Sequence, residues 1–266
     1  MGIGDYYFTS DKLEYYNDAN LLKGGIAYAD RITTVSESYA GEIQTPEYGE
    51  GLYGLLSARS ETLSGIVNGI DYNEWNPAKD ALLPETYDQR NAVSKKKLNK
   101  RSLQEQLNLP VDENKFVVGM ISRLTDQKGF DLLAQALDQI ADMDLQLIVL
   151  GTGEERYENL FRHYAWKYPE KISANIYFSN ERAHLIYAAC DAFLMPSAFE
   201  PCGLSQLISL HYGTVPIVRE TGGLKDTVVP YNEYTGEGDG FSFAYYNSDD
   251  MMHVLRYAAD TYYNHK

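Results

Sequence analysis

FVVGMISRLTDQKGFDLLAQALDQIA, residues 116–141, decides the fold. It opens on FVVGMI (116–121), a short apolar run rich in valine, which is the composition of a buried strand. It closes on FDLLAQALDQIA (130–141), where apolar residues return at helical spacing. Between the two lies a short loop that holds two cations, Arg123 and Lys128, and ends at Gly129. The same alternation continues downstream. LQLIVLG (145–151), ISANIYFS (172–179), DAFLMPS (191–197), TVPIVRE (214–220) and GFSFAYY (240–246) read as strands. The segments 154–168, 181–190, 203–213, 222–229 and 249–263 between and after them read as helices. Strands alternating with helices imply an α/β fold, a parallel sheet covered by helices on both faces.

In such a sheet, ligands bind outside the carboxyl ends of the strands. The loops after Ile121, Leu150, Phe178, Pro196 and Val218 therefore share one rim. Arg123 and Lys128 stand on it beside a helix start, where unpaired N–H groups carry partial positive charge, so the loop suits a phosphate. Each cation taken alone also fits an ordinary surface charge. Phe178 suits stacking on a purine base or a place in the core. His184, inside a predicted helix, reads as structural. In FEPCGLSQ (199–206), Glu200 precedes a helix whose N-terminal N–H groups belong to Cys202, Gly203, Leu204 and Ser205. It suits either a helix-stabilising charge or an acceptor for sugar hydroxyls. Cys202 reads as a small buried residue rather than a reactive thiol. GTGEE (151–155) reads as turn chemistry, and RETGGL (219–224) as a glycine-rich turn.

The composition narrows the classes of partner. Acidic residues outnumber basic ones 38 to 23, a formal charge of −15, which suits a general nucleic-acid binder poorly. Small anionic ligands need only a few local cations. The two cysteines, Cys190 and Cys202, make no metal or disulfide framework, and a cytoplasmic location fits them best. No apolar run reaches the ~18 residues of a membrane span. The start MGIGDYYF shows no secretory pattern, and Tyr6 stands where a myristoylation signal has Ser or Thr.

The first 60 or so residues are rich in Tyr and Gly, with a strand at Arg31–Val35 and a helix opening at Ser36. TPEYGEGLYGLL (45–56) reads as an irregular loop, Leu63–Val67 as a strand, and NGIDYNEWNP (68–77) as a loop. KKKLNKRSLQEQLNL (95–109) has helical spacing and a charge run, the mark of a solvated helix face.

NGIDYNEWNP, SRLTDQKGFDLL, PSAFEPCGLSQL and YGTVPIVRETGGLKDTV, in that order along the chain, resemble bacterial glycogen synthases and plant starch synthases. The likeness extends to YADRITTVSESYAGEIQTPEYGEGL and so covers essentially the whole chain. It implies the two-domain GT-B fold of a retaining glycosyltransferase that uses ADP-glucose as donor and an α-1,4-glucan, glycogen or starch, as acceptor. It implies no metal, no further cofactor and no membrane partner, and a cytoplasmic enzyme, or a plastid one in a plant.

By motif, Arg123 and Lys128 would hold the donor diphosphate, and Glu200 would grip the glucose. The N–H groups of Cys202, Gly203, Leu204 and Ser205 would meet glucose and the distal phosphate. Phe178 would lie against adenine and Asn68 near the glucose. Many GT-B enzymes carry a second Glu eight residues after the first; here Ile208 stands there, as in the glycogen synthase branch. Ser205 replaces a more usual Thr. The resemblance divides the chain into the tail of an N-terminal domain (1–62), a linker with the start of the second domain (63–114), and a Rossmann-like donor domain (115–266). It implies that the family's Lys-x-Gly-Gly loop and closing helices lie beyond the two ends, and that the isolated piece is inactive.

Overall fold

The computed structural model describes Gly2 and residues 4–264; readings that touch Met1, Ile3, His265 or Lys266 lie outside the described residues. The chain forms two compact units that divide between Asn68 and Gly69.

In the first unit, β1 (Glu14–Tyr15) and β2 (Asp18–Ala19) form an antiparallel hairpin. Its two turn residues, Tyr16 and Asn17, both have positive φ, as the tightest hairpin turn requires. In α1 (Leu21–Tyr28), the Asn20 side chain accepts the Lys23 N–H at 2.9 Å and caps the helix. β3 (Ile32–Thr34) leads into α2 (Glu37–Glu42), capped by Ser36 Oγ, which accepts the Tyr39 N–H at 3.0 Å. The stretch 45–56, read as a loop, is irregular only as far as Leu52. Glu50 and Gly51 turn the chain with positive φ, and α3 (Tyr53–Ala58) then buries Leu56. β4 (Leu63–Gly65) pairs in parallel with β3. That pairing keeps residues 63–68 with the first unit, so the division lies six residues after the boundary at 62/63 read from the sequence.

The second unit carries the larger sheet. After an irregular segment, α4 (Ala92–Gln106) is followed by β5 (Phe116–Ile121), α5 (Phe130–Asp142), β6 (Leu145–Leu150), α6 (Glu155–Lys167) and β7 (Ile172–Asn175). Then come α7 (Asn180–Ala189), β8 (Ala192–Met195), α8 (Ser205–His211), β9 (Val215–Arg219), α9 (Gly222–Thr227), β10 (Phe241–Phe243) and α10 (Ser248–Asn264). The six strands run parallel in the order β10-β9-β8-β5-β6-β7. The chain builds outward from β5 to β7, returns to β8 beside β5, and builds outward again. This is the doubly wound order, whose switch point lies between β5 and β8.

Alternate residues of each strand face opposite cores. Val118, Met120, Leu147 and Val149 pack with Phe130, Leu133, Phe161, Met251 and Leu255 from α5, α6 and α10. Val117, Ile148 and Leu150 pack with Leu103, Ile186, Ile208 and Leu224 from α4, α7, α8 and α9. Each helix thus buries one stripe on a sheet face, and the continuous apolar runs are explained by burial on both sides.

The reading of 95–109 as a solvated face does not hold for two of its lysines. Lys100 is 3% exposed and pairs with Asp191 at 2.7 Å. Lys96 Nζ donates to the carbonyls of Ala188 (3.0 Å) and Tyr212 (3.1 Å) and to Thr214 Oγ1 (2.7 Å). Both cations therefore meet acceptors that α7, α8 and the strand starts leave unpaired, which a charge count along one helix cannot reveal. Among the described residues, no helix is long and apolar enough to cross a membrane.

Candidate functional site

The loop after β5 (residues 122–129) and the loop after β8 (residues 196–204) face each other across the switch point. Gly129 makes their close approach possible. Its φ is +78°, and a Cβ there would fall 2.2 Å from the Pro196 carbonyl oxygen. The Ala198 N–H donates to the Gln127 carbonyl at 2.9 Å and stitches the loops together.

This stitching joins two of the residues singled out from sequence. Lys128 Nζ donates to Glu200 Oε2 at 2.6 Å, and Ser197 Oγ donates to the same oxygen at 3.1 Å. Glu200 is 7% exposed and Ser197 is 1% exposed. Both partners use one carboxylate oxygen, so Oε1 is the free acceptor of Glu200 among the described residues. From behind, Gly222 braces this loop: its φ is +45° and a Cβ would fall 2.0 Å from the Glu200 carbonyl oxygen. The Gly223 N–H donates to that same carbonyl at 3.1 Å. The glycine pair of RETGGL thus admits the backbone of the Glu200 loop.

Two adjoining hollows open here and share Ile121, Ser122 and Ser205. The smaller, about 260 Å³, is lined by Lys128, Glu200, Gly203 and Leu204. The larger, about 450 Å³, is lined by Arg123, Thr152, Trp75, Tyr177, Phe178 and Tyr187 among others. Arg123 is exposed, and among the described residues its guanidinium has no hydrogen-bond or ion-pair partner. Its charge is available to a ligand, whereas that of Lys128 is shared with Glu200.

Phe178 is 91% exposed, so it is not a core residue. β7 stops at Asn175, four residues before the end read from sequence, and leaves Tyr177 and Phe178 on the loop beside the larger hollow. α8 starts at Ser205 rather than at Gly203. Gly203, Leu204 and Ser205 line the smaller hollow. Cys202 lines neither: it is 5% exposed, and its carbonyl accepts from Gln206 Nε2 at 2.9 Å. Asn68 is the last residue of the first unit and lines neither hollow. His184 is structural as read, stacked on Trp75 at 4.1 Å with Nδ1 2.7 Å from Asp80 Oδ2. Sequence reasoning missed Trp75, Ser197 and Thr152 as parts of the site. Trp75 lies within a quoted motif, and Thr152 within the discounted GTGEE turn.

A further cluster fixes the β5 loop. Asp126 accepts from the Tyr157 hydroxyl and from Arg156 (2.7 Å), and these bonds, that of Tyr157 first, hold its carboxyl below the usual carboxylate range. No group of three or more His, Cys, Asp or Glu among the described residues is placed to hold a metal ion.

The site can hold a doubly charged anion near Arg123 and Lys128, a polyhydroxylated group near Glu200 Oε1, and a flat ring against Phe178. The family model for glycosyl transferases group 1 matches residues 101–261, and the model for the starch synthase catalytic domain matches residues 1–58. A glycogen synthase of Lachnospira eligens is 66% identical over 265 residues, covering 100% of this chain and 55% of that protein. One from Lachnoclostridium phytofermentans is 58% identical over 264 residues, with 99% and 55% covered. The catalytic domain of starch synthase IV from Arabidopsis thaliana, solved bound to ADP and acarbose, superposes with a TM-score of 0.91. It is 32% identical and covers 99% of this chain and 55% of that one. The chain spans about half the length of the curated relatives it matches.

Proposed function

The chain belongs to the glycosyl transferases of group 1, and we propose from that premise that its cleft binds ADP-glucose for transfer of glucose to an α-1,4-glucan. The observation that carries this reading is the Lys128–Glu200 pair across the switch point, with Arg123 unpaired beside it. A diphosphate needs cations, and a hexose needs hydroxyl acceptors; the two loops offer both within one cleft.

In this account, Arg123 and Lys128 neutralise the departing ADP. Positioned charge of this kind is usually the largest contribution to such catalysis. Glu200 Oε1 accepts from a glucose hydroxyl and fixes the sugar against the leaving phosphate. In this reading Glu200 is not a nucleophile: its Oε1 is given to a glucose hydroxyl, and its Oε2 is held by Lys128 and Ser197. The anomeric bond breaks through an oxocarbenium-like state, and the leaving phosphate assists the acceptor hydroxyl on the same face, which retains configuration. Phe178 stacks on adenine. Gly203, Leu204 and Ser205 present backbone N–H groups to the glucose and distal phosphate. The reading invokes no resident metal or cofactor, and we propose a cytoplasmic location with it.

Transfer to the glucan is proposed for the whole protein, and donor binding for the residues described here. Competition between ADP-glucose and UDP-glucose for the chain tests the reading. We expect tighter binding of ADP-glucose; a clear preference for UDP-glucose would overturn the choice of nucleotide.

A further inference from the structure

Behind the Lys128–Glu200 pair lie Arg219 and Tyr246, neither of which lines the two hollows. Arg219 ends β9, one of its Nη1 protons goes to the Ala198 carbonyl, and its Nε is buried without a partner. No carboxylate pairs with it among the described residues. Its guanidinium instead sits 5.4 Å from the centre of the Tyr246 ring, a cation–π contact that offsets part of the lost hydration. Tyr246, just after β10, donates its hydroxyl proton to Asp131 Oδ1 at 2.5 Å and lies 3.0 Å from the Asp126 carbonyl oxygen. Asp131 is the second residue of α5, just after the loop that carries Lys128; Ala198 begins the turn that carries Glu200. A continuous set of contacts thus runs from Asp131 through Tyr246 and Arg219 to Ala198. It spans the gap that Lys128 and Glu200 close on the ligand side.

We propose that Tyr246, acting through Arg219, is a positioning residue that holds the β5 and β8 loops at the spacing where Glu200 can grip the donor sugar. The inference rests on the donor reading above and deepens it. Most nucleotide contacts come from the β5 loop and the larger hollow, and the β8 loop adds only its N–H groups at the distal phosphate, whereas the grip of Glu200 on the sugar depends wholly on the β8 loop staying in register. Loosening the brace therefore weakens ADP-glucose more than ADP.

The test is calorimetric titration of the chain with ADP and with ADP-glucose, in the wild type and in Tyr246→Phe, which keeps the ring and removes the hydroxyl. Asp131→Asn is the second variant, removing the acceptor's charge. We expect the ratio of ADP-glucose to ADP affinity to fall about threefold or more in both, with melting temperatures within about 2 °C of wild type. An unchanged ratio, or an equal loss for both ligands, would overturn the positioning role. A wild type that binds ADP but gains nothing from the glucose, or that binds neither, would overturn the donor reading and this inference with it.

Discussion

Arg123 and Lys128 come from one loop and share a sign, yet the structure gives them different surroundings. Lys128 neutralises a buried carboxylate, while Arg123 stands exposed and unpaired. Removing one partner of a buried pair leaves the other charge uncompensated, which costs more than losing an exposed charge. Lys128→Ala should therefore lower stability by about 1–3 kcal/mol, whereas Arg123→Ala should leave it within about 0.5 kcal/mol. Denaturant unfolding of both variants checks this, and equal losses would contradict the difference drawn between them. Sequence alone placed both cations beside a ligand. It could not show which was already occupied, because Glu200 lies 72 residues further on and meets Lys128 only through the sheet. The role of Cys202 was half legible. Its burial followed from residue type, but its distance from both hollows depends on where α8 begins.

At the scale of the element, α4 departs furthest from its sequence. A run of lysines on a helix reads as solvated because charge is scored locally. Lys100 is buried and Lys96 half-buried because α4 packs against α7, leaving carbonyls of α7 and α8 and the Asp191 carboxylate in need of donors. Burial pushes the Lys96 ammonium down to about 8. A lysine with a depressed value in the folded state binds its proton less tightly than in the unfolded chain. Between about pH 8 and 10.5 the unfolded chain therefore holds more protons, and stability rises with pH in that window. We expect the stability of the wild type relative to Lys96→Met to rise by about 1–3 kcal/mol from pH 8 to pH 10. A difference independent of pH, measured by denaturant unfolding at matched ionic strength, would contradict the account. Strand ends show the same limit of local reading. The aromatic run of ISANIYFS extends the strand pattern to 179, but β7 stops pairing with β6 at Asn175, and Tyr177 and Phe178 are released to the cleft.

At the scale of the molecule, alternation of strand and helix was legible from Lys115 onward, because burial on both faces writes continuous apolar runs into parallel strands. Strand order was not written there: nothing in β8 says that it lies beside β5 rather than β7. That adjacency creates the switch point, and the switch point creates the site. The loops flanking it are proposed to bind a nucleoside diphosphate through Arg123 and Lys128. The most direct measurement is the ADP affinity of the chain with and without the Arg123 guanidinium, read by titration calorimetry beside a melting curve. Arg123→Ala should weaken ADP binding about tenfold or more with no change in melting temperature. Equal ADP affinity in the two proteins would contradict it.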